Sequence, residues 1–573
     1  MTQQIIREAP TPPPLAGQQV SELRPSASDE PVLRVNNIQG NILGGFHKDF
    51  QTLIFLEIEN PAAFKQWLET QINFIATASE VIAFNRIFKE ARKRRGYEGT
   101  VKATWVNIAF SFEGLKKLTN DADAFTDEAF KAGLAARAAQ LNDPVDANGK
   151  PIGWVVGGPD NGKVDVVFIV ASDERADLLA EVSRILESIV TFKDEQGNVK
   201  SSGAKIVFRE EGGNLPPPLT GGEHFGNQDG ISQPGIRGRV SNDPTDVLTP
   251  RNNPENPNQG KPGQDLLWPG EFVFGYEGQN EDALKLEDSK GEVVSAGPSW
   301  ADDGSYLVFR RLRQDVFNFH KFLKDTAVAL NTQPAKVSAK LVGRWPSGAP
   351  TVRTPEKDNL SLGSNDLANN DFEFNGEDAP DKNGFKNDVV PPSKDATGLR
   401  CPFIAHTRKT YPRDDKTPGG GQDIDRSEVT TQTHRLLRRG IPYGPISPST
   451  PDNPQPDPNF VDRGLHFLAY QTSIEEQFEF VTKFWSNNEN FSQQAATGHE
   501  VNGKLPLGHD PIIGQSKNNK PGDDRTRKFF IHLEDNEGKP QTKELSTPQD
   551  WVIPTGGGYF FAPSISALHK LSK

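Results

Sequence analysis

Cysteine and methionine are almost absent from this 573-residue chain. Cys401 is its single cysteine, and the initiator is its single methionine. One cysteine cannot form an internal disulfide, and it excludes multi-cysteine metal sites. The chain also has 7 tyrosines against 35 phenylalanines, and methionine and tyrosine are oxidised far more easily than phenylalanine. This bias suits a protein that handles oxidants, although drift in composition explains it equally well.

Long apolar runs and a surplus of positive charge are also missing. No segment approaches the roughly 20 apolar residues that a membrane-spanning helix needs. The formal net charge of −13 argues against nucleic acid and anionic membrane surfaces as partners, because both require a cationic face. The N-terminal residues have no cationic stretch followed by an apolar one, so we expect no secretory signal and a cytoplasmic location.

Several common catalytic signatures are absent. The chain contains no HExxH, no His-x-His and no Cys/His cluster, so we do not expect zinc. It also lacks a Walker A loop, a GxGxxG that opens a helix after a strand, and a GxSxG. The phosphate-binding, dinucleotide-binding and serine-hydrolase classes are therefore unsupported.

The length of the chain predicts two domains. Residues 1–32 are rich in proline and predict a disordered tail, followed by an N-terminal module at 33–235 and a C-terminal module at 236–573. Three aperiodic stretches dense in Asn, Asp, Pro and Gly predict surface insertions, since ordinary loops are shorter than ~15 residues. These stretches are 241–267, 351–399 and 411–425.

Hydrophobic periodicity predicts an α+β protein with a repeated order of elements. In the N-terminal module we predict strands at 52–58, 105–112, 163–172 and 204–212, and helices at 61–72 and 173–190, the second capped by Asp173. A weaker echo follows, with strands at 270–276, 304–312, 464–471 and 556–565 and helices at 314–330 and 474–485. The first order matches a ferredoxin-like unit, an antiparallel sheet with helices packed on it.

Three segments offer candidate site residues. Asp229 lies in GGEHFGNQDGISQPGI (221–236), where Asp-Gly favours a plain turn or, alternatively, a rigidly held catalytic carboxylate. His406, in CPFIAHTRKTYPR, combines an apolar edge with nearby cations, which suits a haem iron ligand, although such histidines are usually structural. Arg438, in THRLLRRGIPYGPI, belongs either to a solvated basic cluster or to a catalytic site.

If Asp229 and Arg438 met over one face of a haem, they would form a peroxidase site. Asp229 would take the proton from the near oxygen of hydrogen peroxide and give it to the leaving oxygen. Arg438 would stabilise the negative charge that develops as the O–O bond breaks. His406 would hold the iron from the other side.

Eight ordered blocks resemble those of the dye-decolorizing (DyP-type) haem peroxidases, in the larger, long-insertion bacterial and fungal subgroup. The distal GxxDG motif of that family corresponds to residues 226–230, and together the blocks run from about residue 33 to 568. They are VNNIQGNILGGF, HFGNQDGISQPG, GSYLVFRRLRQDV, LVGRWPSGAP, CPFIAHTRKTYPR, RRGIPYGP, GLHFLAYQTSIEEQFEF and GGGYFFAPSISAL.

The resemblance implies two ferredoxin-like modules with antiparallel sheets, and one haem b per chain in the C-terminal module. By position, His406 matches the proximal ligand, Asp229 the distal acid–base residue and Arg438 the distal arginine, with the adjacent Arg439 left open as the alternative.

Four further positions match functional residues of the family. Arg344 matches a contact of a haem propionate, and Leu465 and Phe467 match the apolar lining of the distal pocket and peroxide channel. Tyr443 matches a surface tyrosine that relays a radical, although a plain turn tyrosine is an equal alternative.

The implied activity is the oxidation of bulky aromatic donors, such as anthraquinone dyes and phenols, by hydrogen peroxide through a compound I intermediate. The main alternative is a haem-binding or haem-processing protein, deferrochelatase-like or chlorite-dismutase-like, without peroxidase turnover; a third is a non-catalytic cargo or interaction protein. We expect a monomer or a homodimer that binds neither nucleic acid nor membrane. The sequence names neither the physiological donor nor the surface electron-transfer residue.

Overall fold

The structure is a computed structural model that describes most of the chain. The described residues are 27, 29–95, 101–194, 196–253, 256–286, 289–375, 394–500, 503–534, 539–547 and 549–573. Most of the predicted tail, residues 1–26 and 28, and residues 376–393 of one predicted insertion lie outside them. Within the described part, no helix is both long enough and apolar enough to cross a membrane.

In the described part of the chain, nine antiparallel strands form one sheet that closes into a barrel. They are Phe50–Ile58 (β1), Thr104–Phe110 (β2), Val166–Ser172 (β3), Ala204–Gly213 (β4), Ser305–Gln314 (β5), Leu437–Arg438 (β6), Ile441–Tyr443 (β7), Gly464–Gln471 (β8) and Val552–Ala562 (β9). Their order is β5-β9-β2-β3-β1-β4-β7-β8-β6, and pairing of β5 with β8 closes the ring.

Each half of the barrel is a ferredoxin-like sheet. The N-terminal half has the order β4-β1-β3-β2, and the C-terminal half has the equivalent order β9-β5-β8-β7. The halves meet at two seams of one residue pair each, Phe561 with Phe110 and Tyr443 with Gly212. The predicted α+β fold of two ferredoxin-like modules is therefore confirmed, while the module boundary at residues 235/236 stays a prediction.

The helices pack on the outer surface of the barrel and at its ends. They are Gly40–Leu43 (α1), Pro61–Ile72 (α2), Ala78–Arg95 (α3), Phe112–Leu118 (α4), Glu128–Ala132 (α5), Leu134–Arg137 (α6), Arg175–Val190 (α7), Val316–Ala329 (α8), Pro334–Val342 (α9), Leu360–Gly363 (α10), His406–Thr410 (α11), Ile424–Gln432 (α12), Gln493–Ala496 (α13) and Ile565–Leu571 (α14). Short 3₁₀ turns lie at Ala122–Ala124, Ala138–Leu141, Pro269–Glu271 and Ser299–Ala301.

Two-stranded ribbons and π-helical turns complete the described elements. The ribbons pair Phe192–Lys193 with Val199–Lys200, Gly235–Ile236 with Leu266–Leu267, Glu277–Gln279 with Lys290–Val293, and Arg527–Glu534 with Pro540–Thr547. Ile474–Glu479 and Val481–Ser486 are π-helical.

Local chemistry explains the regular elements. In β3, VVFIVAS is buried along its whole length, because one face points into the barrel and the other is covered by helices. In α7, residues at helical spacing are buried against the sheet, Leu178, Val182, Ile185 and Ile189 among them. The first turn of α2 is capped by Asn60, whose side chain accepts from the Ala63 N–H.

Three local expectations differ from the structure. The strand predicted at 270–276 is wrong: this apolar run is a buried turn that begins as the 3₁₀ segment Pro269–Glu271. Asp173 does not cap α7, because its carboxylate instead accepts from Lys48 Nζ at 2.6 Å and the Ala103 N–H at 2.8 Å. The helix predicted at 474–485 is present but π-helical.

The predicted surface insertions contain fully packed side chains. Asp265, Arg353 and Arg413, one from each segment, are at most 3% exposed. Glu30, which belongs to the tail predicted at 1–32, is also buried and forms ion pairs with Arg237 and Arg251. These parts of the chain contribute to the interior, and two of the segments border the candidate site.

Candidate active site

The loop that carries Asp229 is a tight turn, as the Asp-Gly dipeptide predicts. The Asp229 N–H donates to the Gly221 carbonyl at 3.2 Å, and the Asp229 carboxylate accepts from the Gly230 N–H at 2.6 Å. Gly230 has φ of +71°, a left-handed conformation that glycine adopts without strain. The turn presents the carboxylate, 41% exposed, to a cavity of about 410 Å³.

Arg438 is bound to this loop through its side chain and its backbone. Its Nη1 lies 3.2 Å from Asp229 Oδ1, and its Nη2 donates to the Ser232 carbonyl at 2.7 Å. The Gln233 side chain also accepts from the Arg438 N–H and donates to the Arg438 carbonyl. β6 of the C-terminal half and the loop that carries Asp229, 209 residues earlier in the chain, thus form one unit.

The two adjacent arginines face opposite sides of the sheet. Arg438 lies opposite Ala469 of β8, and directly paired residues share a face, so it lies on the outer face with Leu465 and Phe467. The Arg439 guanidinium instead donates to the carbonyls of residues 41–43, where α1 ends. The structure therefore brings Arg438, and not Arg439, to Asp229.

His406 is the first residue of α11, and its Nδ1 donates to Asp510 Oδ2 at 2.8 Å. Burial disfavours the charged imidazole, but the Asp510 carboxylate outweighs burial and raises the pKa of His406 above its usual value. Asp510 is fully buried, and its other oxygen accepts the N–H groups of Ile512 and Ile513. The sequence analysis missed Asp510, since a lone aspartate 104 residues after His406 carries no periodic or motif signal.

The second nitrogen of His406 points to open space. The side chain is 29% exposed, and Nε2 has no hydrogen-bond partner among the described residues. Both Asp229 and Arg438 act on this imidazole: the first raises the pKa of His406 and the second lowers it. Asp229 and Arg438 therefore interact electrostatically with His406 across the space that Nε2 faces.

Two half-buried apolar residues of β8 contribute a wall. Leu465 and Phe467 alternate along a central strand that is paired on both sides, and they share one face. Such positions are normally covered by neighbouring elements, yet both side chains stay partly exposed here and offer an apolar surface. The Phe467 ring also lies 6.0 Å from the ring of Phe478.

Arg344 is a buried cation without a countercharge among the described residues. Its guanidinium donates to the carbonyls of Gly348 and Asn369 and to Asn370 Oδ1, an oxygen that also accepts from Arg413 at 2.8 Å. Burial, together with the repulsion of Arg413, lowers the pKa of Arg344 to about 9. Two guanidinium groups on one amide oxygen favour an anion nearby.

Tyr443 is not a surface residue. It is 3% exposed, stacked on His466 at 4.8 Å and covered by the Arg311 guanidinium at 4.2 Å. The expectation of a surface tyrosine is wrong because β7 is paired on both sides, with β8 and with β4. Tyr443 of β7 and His466 of β8 lie on the face of the sheet opposite to Leu465 and Phe467. A radical role for Tyr443 stays a prediction.

The residues around the space fit a haem. An iron porphyrin needs an axial nitrogen, an apolar surface for its ring and cations for its propionates. His406 offers a free Nε2 whose orientation is fixed by a carboxylate, the arrangement common for metal-bound histidines. Leu465 and Phe467 offer the apolar surface, and Arg344 offers the uncompensated charge.

Comparisons with known proteins point in the same direction. A family model described as the DyP dimeric alpha+beta barrel domain matches residues 37–205. Peroxidase 2 of Mycetinis scorodonius is 31% identical, over 94% of this chain and 87% of that relative. A dye-decolorizing peroxidase of Mycena epipterygia is 32% identical over the same shares. A solved variant of the dye-decolorizing peroxidase of Pleurotus ostreatus has a TM-score of 0.72 at 31% identity, and the match covers 95% of this chain and 100% of that one.

Proposed function

The chain belongs to the dye-decolorizing peroxidase family and is a peroxidase, and from that premise we propose that it oxidises bulky aromatic donors at a haem b bound between His406 and the Asp229–Arg438 pair. Family membership implies a haem cofactor, hydrogen peroxide and reducing substrates. Anthraquinone-type dyes and phenols are the proposed donors.

Four residues would hold the haem. His406 would bind the iron through Nε2, while Asp510 would keep the other nitrogen protonated and the imidazole in place. Arg344 would pair with a propionate, which would supply the missing negative charge, and Leu465 and Phe467 would contact the porphyrin. Bound haem would supply the iron that reduces peroxide and then accepts electrons from the donors.

Asp229 and Arg438 act on the peroxide. The Asp229 carboxylate accepts the proton of the near peroxide oxygen and passes it to the leaving oxygen, which departs as water. The Arg438 guanidinium stabilises the negative charge on the leaving oxygen and keeps the carboxylate in place through the 3.2 Å contact. The rigid turn around Asp229 holds the carboxylate in position before peroxide binds.

One observation carries this proposal: the Arg438 guanidinium contacts the Asp229 carboxylate at 3.2 Å, and Asp229 lines a cavity of about 410 Å³. A protein that only carried or processed haem would need His406 and an apolar pocket, but no paired carboxylate and guanidinium. The named peroxidases among the relatives also favour turnover over carriage.

Stopped-flow absorbance of the haem-loaded protein tests the proposal. With one equivalent of hydrogen peroxide we expect a rapid loss of Soret intensity and recovery on addition of a dye. Asp229→Asn should slow the reaction with peroxide by about 10²–10⁴-fold, because the acid–base group is lost, while haem loading is retained.

Asp366→Asn is the matched control. Asp366 lines the same cavity but is largely exposed and paired with Lys261 at 3.0 Å. Its variant should react with peroxide at the rate of the unmodified protein. If Asp229→Asn also reacts at that rate, haem carriage becomes the better account and Asp229 is a turn residue.

A further inference from the structure

The described tyrosines are all buried, and most are bonded to carboxylates. They are Tyr276, Tyr306, Tyr411, Tyr443, Tyr470 and Tyr559. Four donate their hydroxyl to an acidic side chain, in the pairs Tyr276–Asp303, Tyr411–Asp265, Tyr443–Asp462 and Tyr559–Glu479. A phenol bonded to a carboxylate can lose an electron and a proton together, because the acceptor is already in place.

Tyr559 is the member of this set that ring contacts connect to the pocket. It lies in β9 opposite Val308, with its ring 6.2 Å from Phe478. The Phe478 ring is in turn 6.0 Å from Phe467, which lines the proposed haem pocket. Within the described residues, no such series of rings joins Phe467 to the other three pairs.

Glu479 is an ionised partner for this phenol. Its Oε1 accepts from Tyr559 at 2.9 Å and from Arg137 Nε at 2.8 Å, and Lys483 lies 3.1 Å from Oε2. Burial opposes ionisation, but Arg137 and Lys483 outweigh it and hold the pKa of Glu479 below its usual value. An oxidised phenol is a far stronger acid than a carboxylic acid, so this carboxylate can still accept its proton.

The backbone at this point is unusual. Phe478 and Glu479 are consecutive residues of the π-helical segment Ile474–Glu479, and a second π-helical segment follows at Val481–Ser486. π-Helical turns are rare and are frequent at functional sites. Here the turn places one residue against the ring of Tyr559 and the next against its hydroxyl.

We propose that Tyr559 is a redox-active residue, an internal electron donor during peroxidase turnover; this inference rests on the proposed function. The phenol gives one electron, through Phe478 and Phe467, to the peroxide-oxidised haem, which is thereby reduced by one equivalent. The O–H bond breaks as the proton moves to Glu479 Oε1, and a neutral phenoxyl radical remains. An aromatic donor then returns an electron and releases its own proton to solvent, while Glu479 returns the first proton.

Electron paramagnetic resonance tests this assignment directly. The haem-loaded protein is mixed with one equivalent of hydrogen peroxide, without a donor, and frozen at successive times. We expect a tyrosyl signal that narrows when the protein is made with ring-deuterated tyrosine. Tyr559→Phe should lose most of this signal, and Phe478→Leu should delay its appearance, because the route is interrupted while the Tyr559–Glu479 pair remains.

Tyr306→Phe is the matched control. Tyr306 is a buried phenol on the same face of the sheet, and in the described part of the chain its hydroxyl is bonded to no carboxylate. This variant should keep the signal. A signal of unchanged intensity and timing in both Tyr559→Phe and Phe478→Leu overturns the assignment. So does a normal Soret response in the unmodified protein with no tyrosyl signal, whereas a missing Soret response contradicts the proposed function itself.

Discussion

Two adjacent arginines, Arg438 at the end of β6 and Arg439 directly after it, give the sharpest test of the site. Arg438→Leu and Arg439→Leu remove the same group from neighbouring positions, yet the two guanidinium groups lie on opposite faces of the sheet. We expect the first variant to lose its reaction with peroxide and to keep most of its stability. We expect the second to lose stability and to keep its reaction with peroxide.

The expected changes in rate and in stability of Arg438→Leu follow from the contacts of this guanidinium. Loss of one preorganised donor to a developing negative charge typically costs about 10²–10³ in rate, or about 2.7–4 kcal/mol. Its contact with Asp229 joins side chains that are 32% and 41% exposed, so water screens the pair. This pair contributes about 0–1 kcal/mol to the free energy of unfolding, and the bond from Nη2 to the Ser232 carbonyl adds about 1 kcal/mol.

The expected loss of unfolding free energy in Arg439→Leu comes from the four hydrogen bonds of the Arg439 guanidinium. Its guanidinium donates to the carbonyls of residues 41–43 and of Arg438, and burial lowers its pKa to about 10. Hydrogen bonds to a charged group contribute about 1.5–3 kcal/mol each and are not additive. We expect the variant to lose about 3 kcal/mol of unfolding free energy, since leucine leaves these carbonyls without donors.

Two measurements on each haem-loaded variant separate the effects. Stopped-flow absorbance gives the rate of the reaction with peroxide, and urea titration followed by circular dichroism gives the free energy of unfolding. Equal slowing of the reaction in both variants, or the opposite assignment of the two losses, would refute the assignment of Arg438 as the distal arginine.

Two further predictions concern Asp510, which bonds to His406, and Glu210, which bonds to His466. Asp510→Asn should weaken haem binding by about 10–100-fold, measured as haem transfer to apomyoglobin, because His406 loses a charged acceptor. Asp550→Asn changes a partly buried carboxylate paired with Arg525 and should leave haem binding unchanged. Burial raises the pKa of Glu210, but Arg311 and His466 outweigh it and lower that pKa to about 2. Ionised Glu210 therefore contributes up to about 3 kcal/mol to the free energy of unfolding above pH ~4.5, and this contribution is lost as the pH falls towards 2. In Glu210→Gln, the free energy of unfolding should therefore fall less steeply between pH ~4.5 and 2 than in the unmodified protein. An equally steep fall in both proteins would contradict this role of Glu210.

The sequence predicted the fold well where periodicity was strong. The strands at 52–58 and 464–471 and the helix at 61–72 are present nearly as predicted, because each presents a regular apolar face to one core. The strand predicted at 270–276 was wrong because these apolar residues are buried in a turn and are not paired in a sheet. The π-helical geometry at 474–486 leaves no mark in a pattern that also fits an α-helix.

The candidate site was predicted in its residues but not in its geometry. Asp229, His406 and Arg438 were all selected, yet the choice between Arg438 and Arg439 needed the pairing of β6 with β8. Asp510 was missed because its role depends on a contact across 104 residues. Tyr443 was placed on the surface because nothing in RRGIPYGP shows that β7 is paired on both sides.

The two seams of the barrel differ in chemistry. Next to the Tyr443–Gly212 seam, Glu210 of the N-terminal half bonds to Arg311 and His466 of the C-terminal half. At the other seam, Phe110 meets Phe561 among buried aromatic rings. Protonation weakens the first kind of contact, and low temperature weakens the second, because the hydrophobic effect fades on cooling. Four strands separate the seams in either direction, so acid and cold should begin to open the same barrel from opposite sides.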